Sequence, residues 1–231
     1  MKKTIIALFA LAGVATAQTV MLTMPGTADN GGHGKISAER AITAFANLED
    51  GGYMFNAGGQ VDPDASFNEG VLTTTDGVTS LTLAPRTGAG GSGEAIVLSG
   101  SNLVGYSVDS FTFGIAESSC ASTADIALTL AVIKNNGSEW TVVEQTKGSL
   151  TLNSGAELPL TLSQSIDWTD SYKVVAVIDN TANTLGGRVS PAYTMTGITM
   201  SAVATPAVPE PTTATLSLLA LAGLAARRRR K

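Results

Sequence analysis

The chain has 231 residues, 44% apolar and 14% charged, with 25 glycines and 5% aromatics; this apolar content excludes intrinsic disorder, and the glycine-rich, aromatic-poor balance points to turns and short strands. One histidine and one cysteine exclude an internal disulfide, a zinc cluster and a Cys-His dyad. Of the 14 cations, Lys2, Lys3 and the closing run Arg227, Arg228, Arg229, Arg230 and Lys231 take 7, and of the 19 acids only Glu210 belongs to the C-terminal segment; the body keeps 7 cations and 18 acids, a charge of −11 that repels phosphate backbones and argues against nucleic acid as a partner.

The chain opens on Met-Lys-Lys, an apolar run from Ile5 to Val14, then Ala15-Thr16-Ala17. A basic start, a short apolar stretch and a small-x-small site predict a secretory signal peptide over residues 1–17, cut by signal peptidase between Ala17 and Gln18. His33 follows in the glycine-rich connection Asp29 to Gly34. No sequence feature pairs it with a serine or an aspartate, so it is not expected to serve as a catalytic base. Ser37 is a candidate N-cap for a short helix reaching Leu48, with Ile36, Ala41, Ile42, Phe45 and Leu48 as its apolar side.

Asp62, Asp64, Ser66, Asn68 and Glu69 bring five oxygen-bearing side chains within eight residues. Calcium takes six to eight oxygens from loops of this kind, so Asp62, Asp64 and Glu69 are candidate ligands, with a solvated acidic loop as the alternative. The spacing departs from an EF-hand loop, because Phe67 occupies the glycine position and Thr73 the bidentate acid position. Asp76-Gly77 predicts a hairpin turn between Val71–Thr75 and Val78–Leu83. Gly88 to Gly93 fits the pattern G-x-G-x-x-G, yet Ala95-Ile96-Val97-Leu98 after it reads as a strand. A dinucleotide site needs a helix there, so the segment is expected to be a loop.

Alternation then becomes frequent. Phe111, Phe113 and Ile115 share one face, as do Ile126, Leu128, Leu130 and Val132, and Leu158, Leu160 and Leu162. Cys120 is expected as a free thiol in a loop, available only for intermolecular pairing. Asn136-Gly137 predicts a hairpin between the strands on either side, because both residues tolerate positive φ. Trp140, opening the next strand, is expected in the core. Trp168, inside Asp167-Trp168-Thr169-Asp170, is the candidate sugar-stacking platform, because an exposed indole has a flat apolar face and Asp167 and Asp170 accept from sugar hydroxyls. The alternative is a rim residue packing the fold. Val174 to Ile178 is continuously apolar and predicts a strand buried on both faces. Tyr193 and Met195 are out of phase with Ile198, Met200 and Ala202, which predicts a β-bulge at Thr196-Gly197.

The C-terminus has three parts: Val208-Pro209-Glu210-Pro211, an apolar stretch from Thr212 to Ala226, and the five terminal cations. Some 15 apolar residues fall short of the roughly 20 needed for a full span, but such a run engages a bilayer, with its cations on the cytoplasmic side. This arrangement resembles the PEP-CTERM sorting signal of Gram-negative bacteria. The resemblance implies that Pro209, Glu210 and Pro211 form the motif met by a membrane exosortase. It also implies transient insertion in the inner membrane, loss of the tail, and release or attachment at the cell surface, in association with exopolysaccharide or envelope material.

Short strands with closely spaced turns predict an all-β fold, a single two-sheet sandwich of jelly-roll or concanavalin-like type over residues 18–205, with the sorting signal over 206–231. The stretch Ile166-Asp167-Trp168 and the strand after it resemble lectin-like domains loosely. The function expected first is a non-enzymatic exported protein with a structural or adhesive role and no cofactor. The alternatives are a carbohydrate-binding module, calcium-dependent through Asp62 and Asp64, and a glycan-acting enzyme built on two facing carboxylates.

Overall fold

The structure is a computed structural model, and it describes residues 15–29, 33–35, 38–56, 71–83, 92–119, 125–151, 155–179 and 193–207. Thirteen strands, one helix and one 3₁₀ turn follow in chain order: β1 (Gln18–Met21), β2 (Thr27–Asp29), β3 (His33–Lys35), α1 (Ala38–Ala44), β4 (Gly51–Asn56), β5 (Val71–Thr75), β6 (Val78–Leu83), β7 (Ser92–Leu98), the 3₁₀ turn Ser101–Leu103, β8 (Tyr106–Ser119), β9 (Asp125–Asn135), β10 (Trp140–Thr151), β11 (Ala156–Asp167), β12 (Tyr172–Asp179) and β13 (Tyr193–Pro206).

They form two sheets. One runs β11-β8-β13-β6-β5-β2, with β1 also paired to β13; the other runs β10-β9-β12-β7-β4-β3. All pairings are antiparallel except β3 with β4. This is the two-sheet sandwich expected from the alternation. Phe111, Phe113, Leu128, Leu130, Val132, Leu160, Met200 and their neighbours fill the space between the sheets, because period-2 strands place every second side chain on the inner face.

The second sheet is covered on its outer side as well. Val174, Ala176 and Ile178 enter the inter-sheet core, while Val175 and Val177 meet Ala41, Ile42 and Phe45 of the helical segment. The unbroken apolar run of β12 is thus explained by two buried faces. α1 is shorter than the expected Ser37–Leu48 helix. It ends at Ala44, and Leu48 is exposed, because the chain turns to place Phe45 and Ala46 on β12. No basic residue lies in its last turn, so the sheet supplies the cation. Lys173 Nζ donates to the Ala46 and Leu48 carbonyls, both at 2.7 Å, meeting the negative end of the helical segment. Burial pushes the Lys173 ammonium below its ordinary pKa.

Both expected hairpins form, and the position of the expected bulge is corrected. Asp76 (φ 50°) and Gly77 (φ 78°) form the expected two-residue turn between β5 and β6. The β9–β10 loop, however, is four residues long: Asn135 pairs Trp140, and only Gly137 takes positive φ. The Asn135 side chain accepts the Gly137 N–H at 2.7 Å, closing the loop without a left-handed Asn136. In β13 the buried phase does switch between Met195 and Ile198. Yet Thr196 pairs Glu117 and Ile198 pairs Ile115, and the register slips only between Val203 and Ala204. A left-handed Gly197 (φ 69°) reverses the faces, and the inserted residue lies further along, on β8.

Candidate functional site

Trp168 is the residue the sequence most strongly offered for ligand contact, and the structure buries it. Its side chain is 2% exposed and stands in the inter-sheet core beside the Phe111 and Tyr172 rings, at centroid distances of 5.3 and 5.4 Å. The indole N–H donates to the Ser99 carbonyl at 3.1 Å. Gly100, left-handed at φ 59°, makes the room: a Cβ there would stand 3.2 Å from the indole nitrogen. Ser99 is held in turn by Asp50, which accepts its N–H and its hydroxyl, both at 2.7 Å. The polar neighbours that suggested a sugar site, Asp167 and Asp170, are exposed, but they flank a core anchor and not a platform. Trp140 is half-buried on the second apolar cluster, with its N–H on the Asn47 side-chain oxygen at 2.8 Å and the Lys173 ammonium 5.4 Å from its ring centre.

The remaining candidates divide by location. Asp62, Asp64, Glu69, Cys120, Gly88 to Gly91, Pro209, Glu210, Pro211 and Arg227 to Lys231 lie outside the described residues. His33 and Gly34 form part of β3 rather than a loop, and Ser92 and Gly93 open β7. Among the described residues, no three His, Cys, Asp or Glu side chains gather as a metal site. No described helix is long and apolar enough to cross a membrane.

Two surface carboxylates are engaged by serines. Asp109 accepts the Ser165 hydroxyl at 2.5 Å. Glu144, at the β10 edge, accepts both the hydroxyl (2.8 Å) and the N–H (3.1 Å) of Ser163 on β11, a clasp between edge strands of different sheets. The Ser163 hydroxyl and then its amide hold the Glu144 carboxyl below its ordinary pKa. A depressed folded-state pKa contributes stability above the unfolded value and loses it as pH falls through the folded one. Ser163→Ala is therefore expected to raise the Glu144 pKa toward that of a free side chain, read by carboxyl-carbon NMR titration. The variant then loses less stability than the parent on acidification through that window; an unmoved titration refutes the clasp.

The feature that sequence reasoning missed is where the two ends of the domain meet. β1 pairs antiparallel with the last strand, Gln18 opposite Ala204 and Met21 opposite Ser201. Asn102 donates to the Met21 carbonyl at 2.7 Å, and the Gln18 amide to the Tyr106 hydroxyl at 3.3 Å. Ala207, just past β13, still donates its N–H to the Gly105 carbonyl at 2.8 Å. The expected signal-peptide junction and the start of the sorting tail thus leave one end of one sheet on neighbouring strands. No pattern within either segment could have shown this, since the pairing joins residues 180 or more positions apart.

Residues 207–231 match the PEP-CTERM protein-sorting motif. The motif marks the chain for export and exosortase-mediated placement at the surface or outside the cell. No curated protein matches the chain. Among solved structures it is similar to a carbohydrate-binding module from the β-sandwich superfamily, at 11% identity and TM-score 0.34 over 79% of this chain; it spans 57% of that chain's length. It is also similar to the N-terminal cellulose-binding domain of Cellulomonas fimi β-1,4-glucanase C (18% identity, 63% of this chain and 88% of that one, TM-score 0.33). A third is the family 11 carbohydrate-binding module of Clostridium thermocellum (13%, 82% and 96%, TM-score 0.34).

Proposed function

We propose that this protein is a non-enzymatic β-sandwich that an exosortase delivers to the surface or extracellular matrix of a Gram-negative bacterium, where it has a structural or adhesive role. The observation that carries the reading is the sorting motif at residues 207–231 following directly on the hydrogen-bonded end of β13. Signal peptidase removes residues 1–17 and the exosortase removes the tail, leaving a chain that begins at β1. An interior packed on both faces of one sheet supports a passive, stable module. The acidic body keeps it soluble after release.

The test is expression in a bacterium that carries a matching exosortase, followed by intact-mass analysis of the membrane, surface and medium fractions. The expected result is a chain lacking both ends in the surface or medium fraction. Changing Pro209, Glu210 and Pro211 to alanine leaves the tail on and the chain in the inner membrane. An unprocessed chain in the cytoplasm, or processing indifferent to those three residues, overturns the reading.

A further inference from the structure

We infer that, while its tail is in the membrane, the sandwich stands end-on to the bilayer, with the end bearing Gln18, Gly105 and Ala207 held against the lipid surface. The inference rests on the membrane-inserted tail of the proposed function and adds the orientation and the surface that faces the lipid. One chain segment sets the geometry, because signal peptidase has by then removed residues 1–17. From Ala207, fixed by its bond to Gly105, five residue steps reach Thr212, where the apolar run begins; fully extended, they span about 18 Å. The headgroup layer of one leaflet takes about 6 Å of that.

The tether leaves from the end of β13 at which Gln18 lies opposite Ala204, so it pulls on that end of the sandwich. The fourteen-residue strands β8 and β13 make the sandwich about 45 Å long. The far end, where β4, β6, β8, β10 and β12 finish, stands away from the lipid by most of that length. Ser101, the exposed Val104, and Ser138 of the β9–β10 loop are at the lipid-facing end. Asp167 and Asp170 are exposed there too, so the tether and not charge attraction holds that end at the lipid. That reach leaves the folded end no more than about 12 Å from the headgroups.

The experiment uses the signal-processed chain, residues 18–231, with Cys120→Ser and single cysteines in turn at Ser101→Cys, Ser138→Cys and Gly155→Cys. Gly155 is exposed at the far end, where an added Cβ meets nothing closer than the Ala116 carbonyl at 3.5 Å. Each dye-labelled chain is reconstituted in phosphatidylcholine vesicles containing a nitroxide-headgroup lipid. Quenching at least about threefold stronger at 101 and 138 than at 155 is expected. A flexible 20-residue Gly/Ser insert between Ala207 and Val208, with a typical reach of about 25 Å, abolishes the contrast. Equal quenching at both ends in chains that float with the vesicles overturns the end-on orientation and leaves the sorting reading intact. Chains that fail to float remove the membrane insertion, and with it both the reading and the orientation.

Discussion

Trp168→Ala is expected to cost about 3–5 kcal/mol of folding free energy, the range for emptying a large buried aromatic site. The ring is 2% exposed and touches Phe111 and Tyr172. The Ser99 carbonyl loses its indole donor in the same step, which adds the penalty of a buried acceptor left unmade. The Phe variant separates the two terms. It keeps most of the ring contact and orphans only the carbonyl, so about 1–2 kcal/mol is expected. Urea unfolding followed by far-UV circular dichroism checks both values. A loss under 1 kcal/mol for the alanine variant would mean that the indole is not a core anchor, and the sugar-platform alternative would return.

The second large effect is expected at Gly93. Its amino-acid neighbours gave it a place in a glycine-rich loop, but it pairs Phe55 on one side and Asp179 on the other, in the interior of the second sheet. A Cβ there would fall 2.3 Å from the Ile178 carbonyl oxygen and 2.4 Å from the Phe55 ring. The carbonyl belongs to the backbone of a paired strand and cannot swing aside, so Gly93→Ala is expected to cost about 3 kcal/mol, at the upper end for overpacking. Combining it with Phe55→Leu relieves the ring contact alone. The double variant is expected to recover less than half of the alanine cost in a double-mutant cycle, since the carbonyl clash persists. Full recovery would place the whole strain on the ring.

The layered architecture was legible in the sequence because its signals are local. Alternation in β8, β9 and β11 predicted inner faces, and the unbroken run of β12 predicted a strand covered twice. Trp168 shows where such reasoning stops. Asp167, Thr169 and Asp170 beside it are polar, and sequence neighbours in a strand-to-turn segment point in different directions. Its environment is made instead by Ser99 and Phe111, which lie 69 and 57 positions away. The pairing of β1 with β13 was hidden for the same reason: four residues of unremarkable composition, Gln-Thr-Val-Met, find their partner only at the other end of the chain. The tail was readable in full, since its three parts are defined by order along the chain and need no fold.

The place of β13 in the first sheet also bears on how the chain folds. It is the last strand made, yet it lies between β8 on one side and β6 and β1 on the other. Until residues 193–206 are present, β8 has only β11 beside it, and β1 has no partner at all. A chain threading through a secretion channel from its N-terminus therefore cannot complete this sheet partway. Closing a loop between the first strand and the last is slow, because the entropy of so long a closure comes before its contacts. On the proposed sorting route the apolar tail is still in the membrane at that moment, and it tethers the unfinished domain while its final strand docks.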